Sequence, residues 1–542
     1  MKVLFLYVST NMCRDGDLWY YDEGVASVAA CLRAAGHAVA FRMVKTDDRF
    51  DEVRAWVERE RGSRTLLLFM TSLMFSAYGH DLPETMPIVG SLRTATGLLT
   101  GFVGLHATTN PEEVLAHPGV DFVGRGEMEE ALVELCDALD SGGDVHRVHN
   151  FWFKTEDGVR RNPLRPLLRD VDALPHPARD LVPDEAMANE RDGILTVVAM
   201  RGCPMDCNFC SNPVLKGLYR GNGPWTRFKS VGRVLEEIKA AVAIDPSLRL
   251  VFFHDDIFAF GNAWSREFFA RYPAEVGIPY GCNLVISQAT PGFVEGLRRS
   301  GCRQVQIGIE SGSEYIRNQV INKGILEADI VAALDLFRQA GIRVKCFAMM
   351  GLPQETRWRY RESVAGFARL RPDMVQIQVW EAHEGSELLG SDRGAAALAG
   401  RHYRPGADRR AWRIKFYFRF FHRYVALYEA LDAMRLRQPL RARVLRVLVD
   451  ATILFRHAPD LLLARDHDGR RRWPAVVLEN RWLRRLAARV GGRFWRAALA
   501  REMHLASVYT WPADMGPPPS GRGWVGSVRV DGRGRSELQP AG

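Results

Sequence analysis

The sequence predicts an α/β protein: two consecutive parallel-sheet domains followed by a mostly helical region. Three observations predict it. Short apolar runs alternate with amphipathic stretches over residues 1–140, and the same alternation returns over 191–395. Beyond about residue 400 it gives way to long basic stretches rich in aromatic residues. Strands that alternate with helices pair in parallel, because each crossover helix packs back onto the sheet.

In the first domain Val3–Val8 reads as a buried strand. A helix is expected from Gly24 to Ala35, with Val25, Val28 and Leu32 on one face and Gly36 as its stop. Ala38–Val44, Thr65–Met70, Gly101–Leu105 and Val120–Val123 follow as strands. A helix carrying Val53 and Val57 lies among them, and another begins near Glu127. This is a doubly wound, Rossmann-like pattern, in which ligands sit beyond the carboxyl ends of the strands. Residues 141–190, with much Pro, Arg and Asp, read as a linker. In 191–395 the strand candidates are Leu195–Ala199, Leu248–Phe253, Gln304–Ile309, Val344–Met350 and Met374–Val379. Helices such as Val231–Ala243 and Ala328–Gln339 fill the gaps, so a full or partial TIM-like β/α barrel is expected. Residues 396–511 are expected to be basic, aromatic-rich helices. The stretch 512–542, dominated by Gly, Pro, Arg and Ser, reads as disordered.

Composition narrows the class. With 47% hydrophobic and 25% charged residues, the 542-residue chain is that of an ordinary folded protein. No apolar run approaches the roughly 20 residues that span a bilayer. The apolar start Met1–Val8 is not followed by a small-residue cleavage site, so the expected location is cytoplasmic. The net charge of +9 is local: from Arg409 to Arg446 there are eleven Lys or Arg against Glu429 and Asp432.

Cysteine usage points to chemistry. Cys13, Cys31, Cys136, Cys282, Cys302 and Cys346 are scattered singly and read as small buried hydrophobes. Cys203, Cys207 and Cys210 are clustered in Arg201-Gly-Cys203-Pro-Met-Asp-Cys207-Asn-Phe-Cys210, directly after a strand candidate. In a reduced chain such clustering points to a metal rather than a disulfide. Structural zinc and ordinary cubanes take four protein ligands. Three cysteines on a four-iron cluster leave one iron open, as a cluster that binds a ligand requires. A zinc site completed by a remote histidine is the alternative.

This spacing, with an aromatic residue before the last cysteine, resembles the signature of the radical S-adenosylmethionine superfamily. Further motifs follow in order: His254-Asp255-Asp256-Ile-Phe258, then Gly308-Ile-Glu310-Ser311-Gly312 followed by Asn322-Lys323-Gly324, then Gly351-Leu352-Pro353-Gln-Glu355-Thr356. Gln354 stands where the family usually has glycine. The resemblance implies that Cys203, Cys207 and Cys210 hold a 4Fe-4S cluster whose open iron is chelated by S-adenosylmethionine, which is then cleaved to a deoxyadenosyl radical. It implies that Phe209 packs near the adenine and that Asp255, Glu310, Ser311 and Gly351 belong to the cofactor's surroundings. Asp255 and Asp256 are adjacent, so on a strand one at most faces the site.

Residues 1–140 resemble the cobalamin-binding domain of one subclass of that superfamily. The matching residues are Gly104-Leu-His106-Ala-Thr108 and Asp121-Phe-Val-Gly124-Arg125-Gly126-Glu127, with Ser72 placed where the cofactor's nucleotide tail is held. The cobalt-ligating Asp-x-His-x-x-Gly motif is absent, and His106 reads as a surface-loop histidine rather than its replacement. The resemblance implies a methyltransferase acting on an unactivated carbon of a small-molecule or lipid-like substrate, with cobalamin delivering the methyl group. It implies a reducing partner such as flavodoxin or ferredoxin. Oxidative cyclisation or rearrangement on the same architecture, and a non-catalytic cobalamin or iron–sulfur sensor, are the alternatives. The aromatic and basic stretch Trp412–Tyr424 suits a peripheral membrane contact or a lipid-like substrate. A nucleic-acid partner is not expected, because no RNA-binding β-barrel pattern accompanies it.

Overall fold

Val3, Leu4, Phe5, Leu6 and Tyr7 are all buried, and a run with no polar member suits a strand covered on both faces. The computed structural model describes residues 1–9, 23–45, 50–71, 81–181, 193–260 and 262–350, parts of 352–390, and beyond these only 440, 444, 445, 528–530 and 536–538. In it this run is β1 (Lys2–Ser9). Val3, Phe5 and Tyr7 pack against α1 (Glu23–Ala34) and α6 (Glu129–Ser141). Leu4 and Leu6 face the other way, onto α2 (Phe50–Glu60) and α3 (Asp81–Thr96). Two cores therefore sandwich one sheet.

That sheet runs β2-β1-β3-β4-β5-β6-β7. β2 (Ala38–Lys45), β3 (Thr65–Thr71), β4 (Leu99–Val103) and β5 (Phe122–Gly124) form its parallel part with β1. The short helices α4 (Leu105–Thr109) and α5 (Pro111–Ala116) connect β4 to β5. β6 (Phe151–Thr155) and β7 (Gly158–Arg161) add an antiparallel hairpin. This hairpin lies inside the stretch expected to be a linker. Phe151 and Phe153 explain why it docks: they close the edge of the sheet around Phe122, at ring separations of 5.6 Å. The winding direction reverses between β1 and β3, which makes their carboxyl ends the switch point.

The second sheet has the order β15-β14-β13-β12-β11-β8. Its members are β8 (Ile194–Val197), β11 (Leu250–Phe253), β12 (Tyr280–Leu284), β13 (Cys302–Glu310), β14 (Arg343–Met350) and β15 (Met374–Val379), all parallel. Strands that follow one another in space as in sequence curl progressively, and six rather than eight of them make an open, partial barrel. Between β8 and β11 lie α7 (Asn212–Leu218), α8 (Val231–Ile244) and a small hairpin of β9 (Met200–Arg201) and β10 (Arg227–Phe228). The helices α8, α9 (Asn262–Glu275), α10 (Pro291–Ser300) and α11 (Glu327–Gln339) cover one face only. Val197, Phe253, Val305, Ile307, Val344 and Cys346 meet them in a single core.

β12 was not expected from the sequence. Of the expected helices over 396–511 the described residues include only 440, 444 and 445, which are helical. In the tail expected to be disordered, Val528–Val530 pairs antiparallel with Ser536–Leu538.

Candidate active site

β8 and β9 deliver the chain to the cysteine loop, and α7 takes it away. Gly202 makes the entry possible: its φ is +82°, and a Cβ there would collide with the carbonyl oxygen of Trp225. The Trp225 indole donates to the Cys203 carbonyl at 2.8 Å, tying the loop to the β9–β10 hairpin. Cys203 and Cys207 are buried and Cys210 half-buried, and none is in a disulfide. Cys210 N–H donates to the Cys207 carbonyl at 3.0 Å, so the loop turns tightly between them. The Asn212 backbone and side-chain amides lie 3.4 and 3.5 Å from the Cys210 sulfur. Burial pushes the Cys203 thiol up to about 12.

Behind the loop stands Asp255. Its Oδ1 accepts from Ala199 N–H at 2.9 Å and also from Met200 N–H, and burial holds its carboxyl well above the usual range. Asp256 instead is exposed, with Oδ2 taking a 3.1 Å hydrogen bond from Asn212. Of the two, Asp255, expected among the cofactor's surroundings, is the buried one and Asp256 the exposed one. β11 ends at Phe253, so both aspartates lie in a turn, where strand alternation does not govern which one faces outward.

On the other side of the loop, Glu310 ends β13 with φ +69°, a backbone conformation that costs energy in a residue with a Cβ. Its carboxylate turns back over Gly308, where an added Cβ would collide with it. It pairs with Lys323 at 3.3 Å. Lys323 Nζ lies 5.5 Å from the centre of the Phe209 ring, linking Glu310 to the cysteine loop. Burial works against the Lys323 ammonium, but Glu310 and the Cys207 sulfur outweigh it and raise its pKa. Ser311 is wholly buried, with its hydroxyl 2.7 Å from that of Ser363. Gly351 lies outside the described residues.

The carboxyl edge of the first sheet carries the other expected residues. Gly104, with φ +107°, opens α4, and the Thr108 hydroxyl bonds both its carbonyl (2.8 Å) and the Gly126 N–H (2.9 Å). His106, expected on a surface loop, is buried and bonded to Glu113 at 3.1 Å. Gly124 is a packing glycine, since a Cβ there would press on Met128, Phe151 and Val103. Gly126 leaves room for the Tyr219 hydroxyl of the second domain. Ser72 follows β3 directly and lies outside the described residues.

This edge is docked on the cysteine-bearing domain. Glu127 takes both guanidinium nitrogens of Arg227 at 2.8 and 2.7 Å, and Glu129 takes Arg201 at 2.5 Å. Glu23 takes Lys229 at 2.6 Å. The sequence offered no sign of this, because the partners lie many residues apart and charge alone does not name a partner.

Comparison with known proteins agrees with both halves. The radical SAM superfamily signature matches residues 197–365, and that of the B12 binding domain matches residues 17–136. An uncharacterized methyltransferase of Pyrococcus horikoshii is 26% identical over 67% of this chain and 77% of its own length. An anaerobic magnesium-protoporphyrin IX monomethyl ester cyclase of Cereibacter sphaeroides is 24% identical over 66% of this chain and 58% of its own. In fold, the radical S-adenosylmethionine methyltransferase TsrM of Kitasatospora setae, with cobalamin and a [4Fe-4S] cluster bound, superposes with a TM-score of 0.57. It is 19% identical and covers 75% of this chain and 77% of that one.

The residues fit the groups these domains use. Three free thiols on one loop, with amide donors against the Cys210 sulfur, suit an anionic cluster whose potential such hydrogen bonds tune. The left-handed backbone at Gly104, at the carboxyl edge of a doubly wound sheet, suits close approach of a bulky cofactor. Among the described residues no helix is long and apolar enough to cross a membrane. The chain is an enzyme of the radical S-adenosylmethionine superfamily, in the group that carries a B12-binding domain ahead of its radical domain.

Proposed function

We propose that this enzyme methylates an unactivated carbon of a small-molecule or lipid-like substrate, with Cys203, Cys207 and Cys210 as the cluster ligands. The observation that carries the reading is the docking of the two domains. The edge of a doubly wound sheet at which ligands bind is the edge that faces the cysteine loop. When bound, the cluster supplies the electron that cleaves S-adenosylmethionine, and cobalamin supplies the methyl carrier. In this reading Phe209 offers its ring to the adenine, and Glu310, positioned by Lys323, accepts from the cofactor's polar groups. Asp256 shares the Asn212 side-chain amide with the Cys210 sulfur. Asp255 keeps the loop in register through the Ala199 and Met200 amides. A flavodoxin or ferredoxin is the reductant that suits this chemistry, and the basic stretch Trp412–Tyr424 suits a membrane-borne substrate.

The second reading, oxidative cyclisation, is favoured by the similarity to the magnesium-protoporphyrin cyclase. The test is anaerobic incubation of cobalamin-loaded enzyme with S-adenosylmethionine and dithionite. Methylation predicts both deoxyadenosine and S-adenosylhomocysteine. Deoxyadenosine alone would favour cyclisation, and neither product would remove the radical reading.

A further inference from the structure

We infer that Glu127, on the turn that follows β5, and Glu129, the first residue of α6, are positioning residues that clamp the cysteine loop onto the cobalamin-binding edge. The inference rests on the reading that a cluster and a cobalamin occupy these two places. Glu127 ends the motif by which the first domain resembles cobalamin-binding domains and Glu129 lies two residues beyond it, yet the structure turns both toward the second domain. Glu127 reaches Arg227 through a bidentate pair and approaches Arg201 at 3.4 Å. Glu129 holds Arg201 at 2.5 Å and is itself oriented by Ser27 at 2.9 Å. The Glu129 and Arg227 side chains are 7% and 4% exposed, so these are not surface pairs that solvent screens away.

The place they grip matters. Arg201 and Arg227 sit opposite each other in the β9–β10 hairpin, and Arg201 is two residues before Cys203. The chain leaving the loop is held as well. Tyr219, directly after α7, accepts the Glu127 N–H at 3.3 Å, in the space that Gly126 leaves by lacking a Cβ. One turn of the first domain thus touches the strand that enters the cysteine loop and the helix that leaves it. Glu23 completes the contact: it accepts Val198 N–H at 2.8 Å and pairs with Lys229, which also pairs with Glu237 at 2.8 Å. Arg179 takes the other oxygen of Glu237. The acids Glu23, Glu127, Glu129 and Glu237 face Arg179, Arg201, Arg227 and Lys229, so the buried group is balanced in charge. Geometry of this kind fixes distance and orientation between two bodies, which reaction between their cofactors demands.

The test uses the full-length protein loaded with cluster and cobalamin, comparing wild type with Glu127→Gln. Tyr219→Phe, which removes one hydroxyl, is the second variant should the first fail to fold. Hydrogen–deuterium exchange and electron paramagnetic resonance of the reduced enzyme are read together, with iron and cobalamin contents. The clamp predicts at least tenfold faster exchange in 127–132, 198–202 and 225–229 together. It also predicts a weakened spin coupling between cluster and cobalt, with both cofactors retained. Faster exchange confined to 127–132 with the coupling unchanged would overturn it. So would loss of cobalamin with the hairpin unmoved, which would make Glu127 a cofactor contact. Absence of iron or cobalamin in the wild type would instead refute the proposed function, while the exchange pattern would still decide the clamp.

Discussion

The two sheets of this molecule are both parallel, yet they bury their strands differently. β1 is apolar on both faces because helices cover both, and Val3, Phe5 and Tyr7 enter one core while Leu4 and Leu6 enter the other. β13 is apolar on one face only. Val305, Ile307 and Ile309 meet the helices, while Gln304, Gln306, Gly308 and Glu310 alternate with them toward the concave side. The neighbouring strands continue that polar layer with Asn283 and Lys345, in register with Gln306. A sheet covered twice is a scaffold that can offer ligands only its edge. A curled sheet whose concave side is polar offers an edge and a polar layer, in which Gln306 and Lys345 are themselves buried, and the cysteine loop follows the edge strand β8.

Substitutions on the two faces should separate most sharply. Phe253 anchors an aromatic cluster with Phe258, Phe268, Tyr272 and Tyr280 on the helix-covered face. Phe253→Ala should cost about 4 kcal/mol in denaturant unfolding, whereas Gln306→Ala should cost about 1 kcal/mol. Equal losses would mean that the concave face is as much a core as the other. Next comes the joint between the sheets. Lys229→Ala leaves Glu23 and Glu237 buried without their shared cation and should cost about 3 kcal/mol. A thermal scan that separates into two transitions would further indicate that the joint, not either sheet, had been weakened.

Smaller in energy but sharper in effect is Gly202→Ala. A left-handed backbone and a collision with the Trp225 carbonyl should cost about 2 kcal/mol and displace Cys203, so iron content should fall while circular dichroism is kept. Undiminished iron would show that the loop tolerates another entry. Smallest at neutral pH is the effect of His254, whose contribution changes only on acidification. Burial lowers its pKa from 6.5 to about 4, so the folded state resists protonation. Stability from this group is complete above 6.5 and is lost as pH falls toward about 4, by about 3 kcal/mol. The urea midpoint of His254→Gln should be flatter across that window; an identical slope would assign the acid sensitivity elsewhere.

Much of this was legible in the sequence where local pattern carries the information. The run Val3–Tyr7 announces a strand with two apolar faces, and the alternation in Cys302–Glu310 one with a single apolar face. The three cysteines are legible because their spacing is itself the chemistry. β12 was not, because Gly281 and Asn283 weaken its strand character. Gly281 is set by tertiary contact, since a Cβ there would lie 3.0 Å from the Phe252 ring. The β6–β7 hairpin was obscured by the Pro- and Arg-rich chain that follows it. Which of Asp255 and Asp256 is exposed depends on where β11 stops, at Phe253, and strand alternation does not reach that far. The pairing of Glu127 and Glu129 with Arg227 and Arg201 is a fact of three dimensions only, and so is the Glu310–Lys323 pair beneath Phe209.

The central claim is that one chain places two cofactors across one joint. Anaerobic metal analysis with ultraviolet–visible spectroscopy tests it most directly, on protein produced with cobalamin and compared with Cys203→Ala. The account predicts roughly four irons per chain in the wild type, lost in the variant, with the cobalamin spectrum kept in both. Wild-type protein that takes up no iron after reconstitution, or iron that survives Cys203→Ala undiminished, would contradict it.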